Sequence, residues 1–262
     1  MNKKSDTSEN VVNLKQAKPT DAPVRSKGIY LLPNLLTTGA LFAGFYAVLS
    51  GFTGQYELAA IAIFTAMIFD GLDGRVARMT NTQSDFGVQY DSLSDMVSFG
   101  VAPAVVAYGW GVSDLGKLGL AAAFVYASCA ALRLARFNVQ AEASDGKVFT
   151  GLPSPAAAAL VAGFIWSTYE LDASQGLSVL GAVITAAAGL LMVSNFKYPS
   201  FKEVDLRGKV PFIVILCVVM GFVVITIDPP RILFMLATVF GFSAPLIWLW
   251  KKLGLNAKSE FK

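Results

Sequence analysis

Four aspartates stand close together in one short segment of the chain, at Asp70, Asp73, Asp91 and Asp95. The first two are three residues apart and the last two are four apart, so each pair shares one face if its segment is helical. The polar connection near 80–85 is short, which favours two antiparallel neighbouring helices. We therefore expect the four carboxylates to converge.

Carboxylates that converge in this way repel one another, and burial raises the cost of their charge further. Bound divalent cations remove the repulsion. A set of oxygen ligands suits Mg²⁺, Mn²⁺ or Ca²⁺ and does not suit zinc. Two such ions about 4 Å apart form the usual clamp for displacement at phosphorus. The pattern therefore predicts a metal-dependent site for phosphoryl chemistry.

Small residues and one arginine accompany the aspartates. Gly74 and Ala77 continue the face of the first pair, and Gly87 lies one turn before Asp91. They would let a ligand approach the backbone closely; the alternative is plain helix packing, which in membranes also favours small residues. Arg78 suits a phosphate or a carboxylate, and the alternative is an anchor at the membrane surface.

The composition excludes several other chemistries. The 262 residues include no His and only two Cys. Without His there is no Ser-His-Asp triad, no HExxH metalloprotease site and no phospholipase-D type of phosphatidyl transfer. Two Cys make neither a disulfide scaffold nor a Cys-rich zinc site. Acid–base and metal chemistry must therefore depend mainly on carboxylates.

Apolar residues make up 55% of the chain and charged residues 15%, whereas an ordinary soluble domain has about 25% charged residues. Several long stretches lack charge altogether, and a membrane span needs roughly 17–25 apolar residues. We expect an all-α, polytopic integral membrane bundle of about eight transmembrane helices. The predicted spans are residues 29–51, 57–79, 86–111, 116–138, 153–170, 174–195, 209–227 and 230–250.

Polar tails flank a predicted transmembrane catalytic domain of residues 28–252. Residues 1–27 form a basic cytoplasmic tail that touches anionic headgroups, and residues 253–262 form a second cytoplasmic tail. All Lys and Arg except Lys117 and Arg231 fall on one side of the spans. The positive-inside rule then places both termini and the aspartates in the cytoplasm, at the inner membrane if the cell is bacterial. The basic tail lacks interleaved aromatic residues, so we expect no nucleic-acid partner.

The acidic segment resembles the signature of the CDP-alcohol phosphatidyltransferases at every fixed position. Those positions are Asp70, Asp73, Gly74, Ala77, Arg78, Gly87, Asp91 and Asp95 in this sequence. The run of residues 32–38 resembles the entry to the first helix of that family. Three further runs, residues 91–104, 132–138 and 149–155, resemble the branch of the family that uses serine.

The resemblance implies an enzyme that transfers the phosphatidyl group of CDP-diacylglycerol to the hydroxyl of L-serine and releases CMP. It implies that the four aspartates ligate two Mg²⁺ or Mn²⁺ ions, with Ca²⁺ as another occupant, and that Asp95 is also the general base. Residues of three segments would contact the CDP-lipid: Asn34, Thr37, Gly74, Ala77, Arg78, Ser84 and Gly87. Members of the family are typically homodimers whose active site opens to the cytoplasm.

The acceptor also needs a site, because the carboxylate of serine requires a cation. Arg133 and Arg136 are three residues apart near the cytoplasmic end of the fourth predicted span, and Asn138 follows. We predict that this group binds serine, with either arginine on the carboxylate; the alternative is that both arginines anchor the helix at the membrane surface. Ser154, between two prolines, is a weaker candidate.

Two other functions stay open. A sister transferase would use the same CDP-lipid with glycerol phosphate or inositol phosphate, and the signature alone does not separate these acceptors. A transporter or channel also places carboxylates and glycines within the membrane. Against a transporter, the acidic cluster lies in one helix pair near one membrane face, and the chain shows no inverted repeat.

Overall fold

A computed structural model of the chain describes residues 31–141, 148–171, 174–199 and 212–253. The predicted tail of residues 1–27 lies outside the described residues, as does the C-terminal tail beyond Leu253. The described part is almost wholly helical, and its only strands form one short pair.

Nine α-helices account for most of the described residues. In chain order they are α1 (Leu31–Phe52), α2 (Tyr56–Thr80), α3 (Asp85–Asp95), α4 (Ala102–Trp110), α5 (Lys117–Ala141), α6 (Ser154–Thr168), α7 (Gln175–Val193), α8 (Phe212–Ile227) and α9 (Pro229–Lys252). A π-helical segment, Met96–Val101, joins α3 to α4, and a 3₁₀ turn, Val112–Leu115, follows α4. The strands are β1 (Val148–Thr150) and β2 (Lys197–Pro199).

Each of the predicted spans corresponds to a helix or a helical run within the described residues. The third, predicted as one helix over 86–111, is the continuous run of α3, the π-helical segment and α4. Four helices, α1, α5, α7 and α9, are long and apolar enough to cross a membrane. Large apolar side chains such as Phe42, Phe124 and Val239 are exposed on these helices, as a lipid environment requires. The predicted helical membrane bundle is confirmed, and the chain is an integral membrane protein.

The first helix packs against both helices that carry the aspartates. Its inner face contains small residues such as Ala40 and Gly44, and a Cβ on Gly44 would overlap Ser98 of the π-helical segment. The Ser94 hydroxyl donates to the α1 carbonyl of Thr37 at 3.2 Å, and the Ser98 hydroxyl donates to that of Ala40 at 3.0 Å. The helices α2 and α3 meet mainly through their aspartate side chains, and α1 provides most of the packing for both.

The helix ends form two opposite faces of the bundle. On one face the Tyr56 hydroxyl, at the start of α2, donates to the carbonyl of Gly109 near the end of α4 at 2.6 Å. The Tyr169 hydroxyl, which follows α6, donates to Glu57 at 3.1 Å on the same face. Asp70 and Asp73 lie toward the other end of α2, and α3 begins beside that end, so the opposite face contains the candidate site.

A short antiparallel pair of strands, which the sequence analysis did not predict, connects two loops on the aspartate-bearing face. After β1 the chain turns at Gly151, whose φ of +84° favours glycine. The Gly151 amide donates to the carbonyl of Phe196 at 2.8 Å, and the Leu152 amide donates to that of Leu191 at 2.9 Å. The start of α6 is thereby held against the end of α7.

Candidate active site

Three of the four aspartates converge on one point. One carboxylate oxygen from each of Asp70 in α2 and Asp91 and Asp95 in α3 lies within 4.8 Å of the other two. The carboxyl groups of Asp70 and Asp95 are within hydrogen-bonding reach of each other, and all three side chains are partly buried. An ion with ligand distances of about 2.0–2.6 Å fits among oxygens at this separation, so the residues present fit a divalent cation.

Asp73, the fourth aspartate, faces α1. Its Oδ2 accepts a hydrogen bond from the Thr37 hydroxyl at 2.6 Å, and the residue is 5% exposed. Its carboxylate is not among the three that converge. The structure thus joins Asp73 to a residue predicted to contact the CDP-lipid, and its role as a metal ligand stays a prediction.

The π-helical segment begins directly after Asp95. Pro103 lacks the N–H that the carbonyl of Phe99, four residues earlier, would accept in an α-helix. Hydrogen bonds to the fifth preceding residue replace the usual ones at this point, and the Tyr126 hydroxyl of α5 donates to the Phe99 carbonyl at 2.9 Å. Because a π-turn changes the rotation of one helical part against the next, this segment sets the direction of the Asp95 side chain relative to α4.

Residues of α1 and α3 that were predicted to contact the nucleotide lie together. Ser84 caps the start of α3, and its hydroxyl accepts a hydrogen bond from the Gly87 amide at 3.1 Å. A Cβ placed on Gly87 would lie 3.2 Å from the Ser84 hydroxyl and 3.5 Å from Oδ1 of Asn34. The absence of a side chain at Gly87 therefore leaves room beside these two polar groups.

The end of α2 presents an open backbone surface beside an exposed cation. A Cβ on Gly74 would meet only Nη1 of Arg78, at 3.9 Å, among atoms of the described residues. Arg78 is exposed and Ala77 is partly buried in the last turns of α2. The helix ends at Asn81 in a left-handed conformation with φ of +54°. This surface can accept an anionic group close to the backbone.

Arg133 of α5 faces the acidic cluster. Its guanidinium interacts electrostatically with Asp95 and Asp70, and its Nη1 donates to the Ser154 hydroxyl at the start of α6 at 3.0 Å. Its Nε is buried and has no hydrogen-bond partner among the described residues. A buried N–H without a partner is costly, so a ligand that accepted a hydrogen bond from this atom would remove that cost.

The other two residues of the predicted serine pocket have partners within the protein. Nη1 of Arg136 donates to the carbonyl of Val193, the last residue of α7, at 3.3 Å. The amide nitrogen of Asn138 donates to the Ser92 hydroxyl of α3 at 3.0 Å. Both contacts fix α5 against its neighbours. These two side chains therefore bind other helices, whereas Arg133 faces the acidic cluster.

Two features of the site were missed from the sequence. The partner of the Phe99 carbonyl, Tyr126, lies 27 residues further along the chain, and Ser154 was expected only as a weaker candidate. Pro103 was the available signal for the first, because a proline within a helix requires another donor for the carbonyl four residues earlier. No local pattern indicates the contact between Arg133 and Ser154.

Comparison with known proteins identifies the family of the chain. A model of the CDP-alcohol phosphatidyltransferase family matches residues 30–194. The CDP-diacylglycerol–serine O-phosphatidyltransferase of Helicobacter pylori strain 26695 is 38% identical over 196 residues, which cover 74% of this chain and 83% of the relative. The enzyme of the same name from Bacillus subtilis is 36% identical over 172 residues, covering 66% and 92%.

An archaeal relative has a related name. The archaetidylserine synthase of Methanothermobacter thermautotrophicus is 38% identical over 170 residues, which cover 64% of this chain and 69% of the relative. The family model spans well over half of the chain and includes α1 to α7 with every predicted site residue. The expected family is therefore confirmed, and the chain belongs to the CDP-alcohol phosphatidyltransferases.

Proposed function

We propose that this protein transfers the phosphatidyl group of CDP-diacylglycerol to the hydroxyl of L-serine, giving phosphatidylserine and CMP. The observation that carries the proposal is the convergence of the Asp70, Asp91 and Asp95 carboxylates within 4.8 Å. This convergence occurs in a membrane protein whose relatives bear the names of serine phosphatidyltransferases.

The reaction is a direct displacement at the phosphorus that carries diacylglycerol. The serine oxygen forms a new bond to this phosphorus, and the bond from the phosphorus to the oxygen bridging to CMP breaks. CMP leaves with that oxygen and its electron pair. The proton of the serine hydroxyl passes to a carboxylate of the protein, since the chain contains no His and a hydroxyl is a weak nucleophile until a base takes its proton.

Asp95 is the proposed base. It ends α3 directly before the π-helical segment, within reach of Asp70 and close to Arg133. This position allows one carboxylate to face both the acidic cluster and the acceptor approaching from α5. The nearby positive charge of Arg133 compensates part of the negative charge that the cluster brings together.

The aspartates are the proposed ligands of two Mg²⁺ or Mn²⁺ ions, with Ca²⁺ as another occupant. Asp70, Asp91 and Asp95 would hold them together with Asp73. When bound, the ions would supply positive charge that stabilises the diphosphate and the departing CMP. The support is the all-oxygen donor set, which suits these ions.

The CDP part of the substrate would lie along the ends of α1, α2 and α3. Gly74 and Ala77 leave room for it beside the backbone, and Arg78 supplies a cation for its diphosphate. Gly87 would likewise leave room for it beside α1. The remaining polar contacts would come from Asn34, Thr37 and Ser84.

Orientation and assembly complete the proposal. The face with the aspartates also carries Arg75, Arg78, Arg133 and Arg136, whereas Lys117 lies at the other end of α5. By the positive-inside rule this face and both termini are cytoplasmic, in the inner membrane if the cell is bacterial. Membrane lipids surround the bundle, and the family resemblance supports a homodimer.

Purified full-length protein in detergent, given CDP-diacylglycerol and Mn²⁺ or Mg²⁺, tests the function. We expect CMP release that depends on L-serine and on the metal, with phosphatidylserine as the lipid product. Release with glycerol phosphate or inositol phosphate in place of serine would identify a sister transferase instead. No release with any acceptor, together with solute flux in liposomes, would establish a transporter.

A further inference from the structure

The structure distinguishes the two arginines of α5. We infer that Arg133 alone holds the carboxylate of the acceptor, and that Ser154 is a positioning residue that aims the Arg133 guanidinium at it. Arg136 instead fixes α5 to α7. This inference rests on the proposed function, because it concerns how the same site selects an amino acid as its acceptor.

The first observation is that Arg133 faces two carboxylates without a direct ion pair to either. The guanidinium interacts electrostatically with Asp95 and Asp70. Within 4.0 Å, however, the only ion pair among the described residues is that of Arg231 with Asp228. The charge of Arg133 is therefore not paired directly with the cluster, and an acceptor whose hydroxyl points at Asp95 would direct its other end toward this guanidinium.

The second observation is which atoms of the guanidinium are occupied. Nη1 of Arg133 donates to Ser154, whereas Nε is buried and has no partner among the described residues. The edge of a guanidinium that carries Nε and Nη2 can donate to both oxygens of a carboxylate at once. With Nη1 held by Ser154, it is this edge that is left to meet the ligand, and an acceptor carboxylate would satisfy the buried N–H.

Ser154 is itself rigidly placed. It is fully buried, with 0% exposure, and begins α6 between Pro153 and Pro155, whose rings restrict the backbone. The preceding residues, Gly151 and Leu152, are held by hydrogen bonds to the end of α7 and the residues after it. The hydroxyl that receives Arg133 is therefore fixed by the strand pair and the α6–α7 junction rather than by α5.

Arg136 has a different task. Its Nη1 donates to the carbonyl of Val193 at the end of α7, where helix carbonyls lack partners within the helix and a cation also offsets the helix dipole. That contact accounts for an arginine at this position without a ligand. The two arginines are thus predicted to differ in the kinetics of their variants.

The experiment measures steady-state CMP release by the full-length protein in detergent, with L-serine varied at saturating CDP-diacylglycerol and then the reverse. The variants are Ser154→Ala, Arg133→Lys and Arg136→Lys. Ser178→Ala is the matched control, because Ser178 is equally buried and its hydroxyl has no partner among the described residues. A fraction of misfolded protein lowers kcat but leaves KM unchanged, so KM is the deciding quantity.

We expect Arg133→Lys to raise KM for serine about tenfold to a hundredfold, because lysine keeps the charge but cannot donate two parallel hydrogen bonds to a carboxylate. Ser154→Ala should raise it in the same direction by a smaller factor. Neither change should alter KM for CDP-diacylglycerol more than about twofold, and Arg136→Lys and Ser178→Ala should leave KM for serine within the same margin.

Three outcomes would overturn the inference while the proposed function stands. They are an unchanged KM for serine in both Ser154→Ala and Arg133→Lys, equal rises for Arg133→Lys and Arg136→Lys, and parallel rises of KM for both substrates. The proposed function fails differently, since the unmodified protein itself would then release no CMP in response to serine.

Discussion

Two helical runs among the described residues, the run from α3 to α4 and the helix α9, contain a proline that cannot donate to the carbonyl four residues earlier. In both, a tyrosine from another element donates to that carbonyl. Pro103 cannot donate to the carbonyl of Phe99, which accepts a hydrogen bond from the Tyr126 hydroxyl at 2.9 Å. Pro245 of α9 stands four residues after Gly241, whose carbonyl accepts from Tyr198 at 2.8 Å. In both places a tyrosine hydroxyl thus takes the role of the backbone N–H that the proline lacks.

The two regions differ in what the helix does around the proline. Before Pro103 the chain winds as a π-helix from Met96 to Val101, and Asp95 is the residue directly before it. Around Pro245 the chain continues as α9 from Pro229 to Lys252. The tyrosine of the second region belongs to β2, and burial raises its pKa to about 12, which keeps the hydroxyl protonated as a donor.

The effect of each proline on the protein depends on where it stands, not on the proline itself. In the first region the altered winding lies next to the convergent carboxylates, so it bears on the geometry of the chemistry. In the second region the hydrogen bond of the tyrosine connects α9 to the loop after α7, away from the carboxylates. Changes at the first region should therefore affect turnover, whereas matched changes at the second should affect stability alone.

The largest effect is expected at the aspartate that borders the first region. Asp95→Asn removes the proposed base, and loss of a general base lowers turnover about 10²–10⁴-fold. Asp228→Asn is the control, because Asp228 precedes α9 and pairs with Arg231 at 3.1 Å far along the chain from the cluster. CMP release should collapse in the first variant alone, while binding of CDP-diacylglycerol is largely retained. Turnover of Asp95→Asn within about tenfold of the unmodified protein would rule out its role as base.

An intermediate effect is expected from removing the two tyrosine hydroxyls. Tyr126→Phe and Tyr198→Phe each leave a buried carbonyl without its donor, so both should lower the free energy of unfolding by about 1 kcal/mol. Thermal unfolding in detergent measures this loss. Only Tyr126→Phe should also reduce kcat, by about tenfold, because small displacements of catalytic groups are costly. Equal reductions of kcat in both variants would contradict the distinction between the regions.

The smallest effect is expected from the prolines. Pro103→Ala restores an N–H that competes for the Phe99 carbonyl and favours α-helical winding, which would turn Asp95 away from its partners. We expect kcat to fall about threefold to tenfold, whereas Pro245→Ala should leave kcat unchanged. The rates of CMP release by the two variants decide this, and a loss confined to Pro245→Ala would reverse the assignment.

Much of the site could be predicted from the sequence because its pattern is local. The spacings of three and four residues put Asp70, Asp91 and Asp95 on helix faces, and the structure brings these three together. The helical spans likewise follow from long uncharged stretches, since backbone groups in a bilayer must satisfy one another within a helix. Because the chain contains no histidine, its acid–base chemistry depends mainly on carboxylates.

Other features required the tertiary structure. The pairing of β1 with β2, the contact of Arg133 with Ser154, and the donation from Tyr126 to Phe99 join residues that are far apart in the sequence. The direction of Asp73 toward Thr37 also depends on how α1 packs against α2. The chain contains many other serines, tyrosines and threonines, so the residue type alone does not show that Ser154, Tyr126 and Thr37 have these partners.

The amino-acid sequence by itself thus determined the membrane helices, the carboxylate chemistry and the family. Only the packing of distant elements shows which arginine faces the cluster with an N–H that lacks a partner among the described residues, and which one is bound to a helix end. The physical reason is that hydrophobic span length and helical spacing act between neighbours in the chain, whereas the partner of a buried polar group is set by whichever distant element folds against it.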